Sequence, residues 1–207
     1  MKPSRPELPR EFVAVHKRRR MIDAIAELSA EQGYEATKIA DIVRRAGVAR
    51  KTLYDNFDGK EDLFLAAFDL YLGEVRKEVE EACDATGGAG QQRIESGLAA
   101  FLRCVAERPA AARMCMIEAL SATPAASTRY DAAVREFVEM LKQNAPDGAL
   151  PETIEETLVG GVCWILSQQI RRGEATRAAD LLPELSEFIL SPYHGVENSP
   201  IKAGRRK

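Results

Sequence analysis

Apolar residues recur every three or four positions along most of the chain, and no stretch alternates convincingly with a period of two. This pattern predicts amphipathic helices and no sheet. Glycine, proline and turn-forming clusters divide the pattern into about nine helical segments. We therefore expect an all-α protein of about nine helices. Residues 1–11 and 194–207 are rich in proline and charge, and they are expected to form a flexible N-terminal arm and a flexible basic tail.

Three of these helices are predicted within residues 12–58. The first spans about residues 12–32 and is followed by a glycine. Thr37 is expected to cap the second helix, and Gly47 to make the turn into a third helix that Leu53 anchors. Two short helices joined by a glycine turn are the minimum of a helix-turn-helix. We therefore predict an N-terminal DNA-binding domain over residues 12–58.

The outward face of the predicted third helix carries cations and hydrogen-bond donors, the groups that meet phosphates and base edges in a major groove. Further cations and a hydroxyl lie at helix starts or on the exposed face of the second helix, where they can reach phosphates. The predicted DNA-binding residues are Thr37, Lys38, Arg44, Arg45, Arg50, Lys51, Thr52, Tyr54, Asn56 and Lys60.

Charge is distributed unevenly along the chain. Residues 1–60 hold 13 Lys/Arg and 9 Asp/Glu, whereas residues 61–199 hold 12 and 23. A basic head on an acidic body fits an anion-binding module attached to a domain that need not touch the anion. Random drift of surface charge is the alternative explanation.

One stretch of the sequence is characteristic as a composite: residues 33–68 read GYEATKIADIVRRAGVARKTLYDNFDGKEDLFLAAF. With AGV, TLY, a phenylalanine and K-E-x-L in register, it resembles the signature of the tetracycline-repressor (TetR) family. This resemblance implies a homodimer with two recognition helices reading a palindromic operator in double-stranded DNA. It also implies repression relieved when a small ligand binds the C-terminal domain. Three departures are notable. Val43 stands where the family usually has alanine, Ala49 replaces a frequent serine and removes a helix cap, and Lys51 replaces a frequent glycine and adds a cation.

The larger part of the chain, residues 59–193, is predicted to form a helical effector-binding and dimerisation domain. Asp58, with Glu61 three residues on, is expected to cap its first helix. The candidate ligand-binding residues, each of which ordinary core packing would also explain, are Phe68, Tyr71, Phe101, Cys104, Met114, Ile117, Glu118, Tyr130, Phe137 and Trp164. Because most of them are apolar, we expect a small, mostly hydrophobic effector.

The last two substantial helices each carry an apolar stripe. In the resembled family such a pair forms the bundle between subunits, and an intramolecular core is the alternative. The predicted dimer residues are Leu158, Val162, Ile165, Leu166, Leu181, Leu185, Phe188 and Ile189.

Three other functions are alternatives to this hypothesis. An enzyme has little support, because the sequence lacks GxSxG, P-loop and HExxH motifs. A thiol-based redox sensor would use Cys104 and Cys115, which a turn between their helices could bring together. A purely architectural DNA-binding protein would not need the long acidic body.

The four cysteines are scattered and the chain has two histidines, so we predict neither a metal nor a cofactor. The sequence has no long apolar run and no signal peptide, which predicts a cytoplasmic protein without membrane contact. When bound to DNA, the protein is expected to be associated with the nucleoid.

Overall fold

The computed structural model of the protein describes residues 10–88, 90–145, 151 and 153–194. Residues 1–9 of the predicted arm and residues 195–207 of the predicted tail lie outside this part of the chain. Residues 10 and 11 of the predicted arm belong to the first helix. Within the described ranges every regular element is a helix.

The helices begin and end close to the glycine, proline and turn-forming clusters of the sequence. The first four are α1 (Arg10–Gln32), α2 (Ile39–Ala46), α3 (Arg50–Tyr54) and α4 (Lys60–Ala85). A second group comprises α5 (Gly90–Glu107), α6 (Pro109–Arg113), a π-helical turn (Met114–Glu118), α7 (Ala119–Ala122) and α8 (Pro124–Asn144). The last elements are α9 (Ile154–Arg171), a 3₁₀ segment (Ala175–Leu181) and α10 (Leu182–His194). Residues 109–122 run on without a break, and counting them as one gives nine α-helices over the described residues. The predicted all-α class is confirmed.

The described chain divides into two compact units. The first contains α1–α3, the start of α4 up to Leu72, and the segment Ala110–Thr128. Its interior is filled by side chains that recur on one face of each helix, among them the fully buried Ile25, Ile42 and Phe64. The π-helical turn packs against α1 within this unit. The unit is thus a three-helix head completed by a segment from the middle of the chain.

The second unit contains Gly73–Pro109 and the described residues from Arg129 onwards. Its helix α5 packs against both the 3₁₀ segment and α10. Leu102, Leu166 and Leu185 are fully buried in its interior. The sequence predicts a functional domain boundary between residues 58 and 59, and this boundary stays a prediction. The boundary between the two packing units lies inside α4, between Leu72 and Gly73.

Local details at two helix starts differ from the sequence predictions. The N-cap of α2 is Lys38, not Thr37, and its side chain makes no capping hydrogen bond. At the start of α4, Asp62 rather than Glu61 reaches back, because its Oδ2 accepts a hydrogen bond from the backbone N–H of Asp58 at 3.0 Å. This hydrogen bond satisfies a backbone N–H that precedes the helix, as the glutamate of a capping box does. Among the described residues, no helix has the length and apolar character needed to cross a membrane.

Candidate DNA-binding face and ligand cavity

The turn between α2 and α3 depends on the conformation of Gly47. This residue has a φ of +59°, in the left-handed region that glycine adopts without steric cost. Its backbone N–H donates to the carbonyl of Arg44 at 3.2 Å and so closes the end of α2. The helices on either side are fixed from beneath by Ile42 and Leu53, whose exposure is 0% in both cases. The outward faces of both helices are therefore free to contact a partner.

The outward face of α3 carries exposed cationic and hydrogen-bonding side chains. Arg50 and Lys51 are exposed, and 48% of the surface of Tyr54 is accessible. The Arg50 guanidinium donates to the Tyr54 hydroxyl at 3.3 Å, which holds the two side chains together. Asn56 donates through Nδ2 to the carbonyl of Thr52 at 2.8 Å and so closes the helix end. Ala49 precedes α3 without a side-chain cap, as the sequence indicates. The arrangement offers two cations and a phenol on one short helix.

Thr37 has a different place from the one predicted. Its exposure is 1%, and its hydroxyl donates to the carbonyl of Gly33 at 2.8 Å. Its backbone N–H donates to the carbonyl of Tyr34 at 3.1 Å. Both donors are thus used inside the loop before α2, and the prediction that Thr37 caps this helix is wrong. The neighbouring Lys38 is exposed and is the cation available at this helix start.

The two arginines at the end of α2 differ in their partners. Arg44 is 80% exposed and pairs with Asp41, three residues earlier on the same helix, at 2.8 Å. Arg45 instead bridges Glu27 and Glu31 of α1 at 2.9 and 2.7 Å. The hydrogen bond from Arg45 lowers the pKa of Glu31. Arg45 therefore fastens α2 to α1, whereas Arg44 keeps most of its surface free.

Lys60 lies against the loop before α2 rather than extending into solvent. Its Nζ donates to the carbonyl of Tyr34 at 3.0 Å and lies 3.9 Å from the centroid of the Tyr34 ring. A cation over an aromatic face is held by the ring quadrupole as well as by the hydrogen bond. Lys60 thus joins the start of α4 to the loop that leads into α2.

Sequence reasoning missed two arginines of α1. Arg20 donates through Nη2 to the carbonyl of Gly47 at 3.0 Å. The guanidinium carbon of Arg18 lies 4.4 Å from the centroid of the Phe57 ring, which follows α3. The run of three arginines at residues 18–20 was the available signal, since basic clusters near a helix-turn-helix favour anion contact.

Glu118, a candidate ligand residue, is used within the head. Its Oε2 accepts a hydrogen bond from the backbone N–H of Tyr34 at 3.2 Å, and only 14% of its side chain is exposed. A Cβ atom placed on Gly33 would lie 3.6 Å from the same oxygen. Arg113, on the preceding turn, brings its Nε to 3.8 Å from the other carboxylate oxygen. Glu118 therefore ties the π-helical turn to the loop that precedes α2.

The second unit contains an apolar cavity with a volume of about 100 Å³. Two of the predicted ligand residues, Phe101 of α5 and Phe137 of α8, line it, and their ring centroids lie 5.4 Å apart. A Cβ atom placed on Gly97 would lie 2.7 Å from the Cys83 sulfur. The glycine therefore permits the close approach of α4 and α5. The other lining residues are Val79, Cys83, Ile94, Leu98, Met140, Leu141, Asn144, Val159, Val162, Cys163 and Ile189.

The remaining candidate ligand residues are dispersed. Five of them belong to the first unit, namely Phe68, Tyr71, Met114, Ile117 and Glu118. Cys104, Tyr130 and Trp164 belong to the second unit but do not line its cavity. Phe68 and Met114 are buried as ordinary core of the head. The structure thus does not bring the ten predicted residues together in one cavity.

The cysteines are held as thiols. All four are free, and burial raises the pKa of Cys104 to about 12, helped by the Glu78 carboxylate, which accepts its S–H hydrogen bond at 3.2 Å. Burial also raises the pKa of Cys115 to about 12 and that of Cys163 to about 11. Because the thiolate is the reactive form, these environments oppose thiol-based sensing. Among the described residues, no cluster of three or more metal-ligating side chains occurs.

Five of the eight predicted dimer residues face the interior of their own unit. These five are Leu158, Val162, Leu166, Leu185 and Ile189. On the outside of the same helices, 65% of Trp164 and 38% of Phe188 are exposed. A side chain on Gly161 would begin 2.9 Å from the Phe188 ring, so this glycine makes room for it. The predicted apolar stripe therefore packs within the chain, and a smaller aromatic face lies outside it.

Comparison with protein families and known proteins places this geometry among DNA-binding regulators. Residues 21–67, which include the whole helix-turn-helix, match the model described as bacterial regulatory proteins, tetR family. The chain is 33% identical over 87 residues to the transcriptional repressor ComR of Escherichia coli, covering 41% of this chain and 39% of that protein. It is 38% identical over 61 residues to the fatty acid metabolism regulator protein of Bacillus subtilis, covering 30% and 31%. The alignments thus span 31–39% of the length of these relatives.

Solved structures share the fold over nearly their whole length. The transcriptional regulator FadR from Bacillus subtilis, in complex with stearoyl-CoA, superposes with a TM-score of 0.71 and 17% identity, covering 84% of this chain and 97% of that one. A TetR-like transcriptional regulator from Rhodococcus has a TM-score of 0.68 and 22% identity, covering 89% and 99%. At this level of identity the likeness establishes the fold.

Proposed function

Because the chain belongs to the TetR family of bacterial regulatory proteins, we propose that it is a dimeric transcriptional repressor. In this proposal it binds a palindromic operator and leaves it when a small, mostly hydrophobic ligand enters the C-terminal domain. The observation that carries the proposal is the outer face of α3. There Arg50, Lys51 and Tyr54 stand exposed on a helix that the buried Leu53 anchors.

Direct DNA contact is proposed for the exposed members of the predicted set. Arg50, Lys51 and Tyr54 would enter the major groove with the first turns of α3. Lys38 and Arg44 would meet the flanking phosphates, since each keeps a charged side chain at the surface. Arg45 and Lys60, by contrast, would support the geometry of the head through their internal partners.

The remaining predicted contacts take lesser parts in the proposal. The Asn56 side chain donates a hydrogen bond to the Thr52 carbonyl at the end of α3. These two residues would therefore contact DNA only through the groups that this hydrogen bond does not use. Thr37 is left out of the contact set because its hydroxyl and backbone N–H are both used internally. The exposed cations that remain would give binding a marked salt dependence.

Dimerisation is proposed through the outer faces of α9 and α10. Trp164 and Phe188 are large, exposed and aromatic, which is the residue class enriched at the energetic centres of interfaces. Ile165 and Leu181, which are partly exposed, would add to this apolar surface in the proposed dimer. In the proposed dimer, the two recognition helices would read successive major grooves, which lie about 34–36 Å apart.

The effector is proposed to occupy the cavity of the second unit, which is lined mainly by aliphatic and aromatic side chains. A hydrophobic ligand is consistent with the stearoyl-CoA bound to the FadR that shares this fold. A thiol-redox switch has weaker support because the pKa of each cysteine is raised. An enzymatic role also has less support, since the matched relatives are named as regulators. The proposed place of action is the bacterial cytoplasm, on the chromosome.

The test is selection of genomic DNA fragments on the purified protein, followed by affinity measurement on the enriched sequence. We expect one palindrome to be enriched, and Lys51→Ala to weaken binding by about ten-fold or more. Lys77→Ala is the matched control, because it removes an exposed lysine, 74% accessible, that lies in the second unit. Failure of the wild-type protein to enrich any sequence would contradict the proposal.

The proposed dimer is tested separately by sedimentation equilibrium. Replacing both Trp164 and Phe188 by alanine should raise the dimer dissociation constant by at least about ten-fold, because truncating central aromatic residues is costly. The Lys77→Ala protein should remain as dimeric as the wild type. A double variant that dimerises normally would exclude this face as the interface.

A further inference from the structure

The run of three arginines in α1 is engaged within the head. Arg19 donates through Nε to Asp23 Oδ1 at 2.8 Å, and its guanidinium carbon lies 5.3 Å from the centroid of the Tyr71 ring. Arg18 and Arg20 contact the two chain segments that flank α3. A basic run beside a helix-turn-helix favours contact with phosphates, but each of these guanidinium groups already has a partner in the first unit.

Arg20 contacts the turn on the N-terminal side of α3. Its Nη2 donates to the carbonyl of Gly47 at 3.0 Å. A Cβ atom placed on Gly47 would lie 2.5 Å from the same nitrogen, so the guanidinium lies directly against the backbone of the turn. Because Gly47 ends α2 in a left-handed conformation, this hydrogen bond joins α1 to the point from which the chain enters α3.

Arg18 contacts the chain on the C-terminal side of α3. Its guanidinium carbon lies 4.4 Å from the centroid of the Phe57 ring, within the range of a cation–π interaction. Phe57 is only 3% exposed, and its backbone N–H donates to the carbonyl of Leu53 at 2.9 Å. Since Leu53 belongs to α3, the ring that Arg18 covers is joined to this helix by a hydrogen bond.

The helix α3 has few means of its own to fix its direction. It contains five residues, and Ala49, which precedes it, makes no capping hydrogen bond through its side chain. Helices this short are not stable by themselves, because forming the first turn costs more than its few hydrogen bonds contribute. Leu53, with 0% exposure, fixes α3 at one point from beneath. One point does not determine the direction of an axis, whereas contacts before and after the helix do.

We propose that Arg18 and Arg20 are positioning residues for DNA recognition, which hold the two ends of α3 so that Arg50, Lys51 and Tyr54 meet the bases in one orientation. This inference rests on the proposed DNA-binding function and adds the groups that keep the contact helix in place. Loss of either arginine should lower the discrimination between DNA sequences. Loss of a phosphate contact would instead weaken binding to all sequences alike and reduce its salt dependence.

The first experiment measures amide hydrogen exchange in the full-length protein without DNA, by mass spectrometry of peptides covering residues 48–57. Arg18→Met and Arg20→Met each keep a long, unbranched side chain that is compatible with α1. Each should accelerate this exchange by about two- to five-fold, the factors for one exposed cation–π interaction and one net hydrogen bond. Lys17→Met removes an exposed cation from the same helix and should leave the exchange unchanged.

Two results of this experiment would overturn the inference. One is exchange over residues 48–57 that is the same in the wild type and both variants. The other is equal acceleration over residues 21–32 of α1, which would show a general loss of stability rather than a loosened α3.

The second experiment compares affinity for the palindrome enriched by the wild type with affinity for a copy carrying one substituted base pair in each half-site. Because one mismatch typically weakens binding by about five-fold or more, Arg18→Met and Arg20→Met should each reduce this affinity ratio by at least about three-fold. The slope of log affinity against log salt should stay at its wild-type value. Lys17→Met should keep the wild-type ratio.

An unchanged ratio with a salt slope reduced by about one would assign the arginine a phosphate contact and overturn the inference. An unchanged ratio with an unchanged slope would overturn it as well, because a merely stabilising residue alters the amount of active protein and not its discrimination. If the wild type enriches no palindrome, the proposed function fails, and the exchange experiment still decides whether Arg18 and Arg20 hold α3.

Discussion

The hydrogen bond between Glu118 and the backbone of Tyr34 should contribute measurably to the stability of the head. Glu118→Ala removes the acceptor and leaves the Tyr34 N–H, in a residue only 6% exposed, without a partner. Hydrogen bonds to charged groups contribute about 1.5–3 kcal/mol. With 14% of the Glu118 side chain exposed, we take the middle of that range and expect a loss of about 2 kcal/mol. Glu118→Gln keeps a carbonyl acceptor and should lose about half as much.

The assay is urea unfolding followed by far-UV circular dichroism at one fixed protein concentration. Glu139→Ala is the matched control, because that carboxylate is 61% exposed and pairs with Lys142 on its own helix. Exposed pairs of this kind contribute about 0.3–0.5 kcal/mol. If Glu118→Ala is no more destabilising than Glu139→Ala, the Tyr34 bond does not hold the π-helical turn to the head, and the reasoning fails.

Three further predictions concern the head and the buried thiol. Gly47→Ala should destabilise the protein by about 1–2 kcal/mol and weaken operator binding, because a side chain at φ +59° is strained and would displace Arg20. Unaltered urea unfolding would contradict this. Arg45→Ala should weaken operator binding less than Lys51→Ala in fluorescence anisotropy titrations, since Arg45 is occupied by two carboxylates. Equal losses would show that it contacts DNA directly. Cys104 should resist iodoacetamide at pH 8 in the folded protein, because its raised pKa of about 12 leaves almost no thiolate there, and intact-mass spectrometry should find it modified only after unfolding.

The head could be predicted from sequence because its determinants are local. Gly47 and Leu53 act within a few residues of their own positions, through a left-handed turn and a buried helix face. The position of Thr37 was predicted wrongly for a local reason as well. Threonine can cap a helix or bond back to a preceding carbonyl, and here the carbonyl of Gly33 is the partner.

The cavity could not be predicted in the same way, because its lining depends on contacts distant in sequence. Phe68 and Phe101 lie on helices of similar apolar pattern, yet the first fills the head and the second lines the cavity. An apolar stripe shows that a helix face is buried but not which element covers it. The same ambiguity explains why Leu166 packs inside its own chain, whereas Trp164, two residues earlier, is exposed.

The makeup of the first unit bears on how this protein can be divided or recombined. The DNA-binding head is discontinuous in sequence, because Ala110–Thr128 packs with α1–α3 and the start of α4. Met114 and Ala119 are both fully buried there. A fragment ending at Leu72 would therefore expose the surfaces that these side chains cover. Grafting the head onto another regulator would therefore require transplanting both stretches together, because the packing of the unit is completed only when both are present.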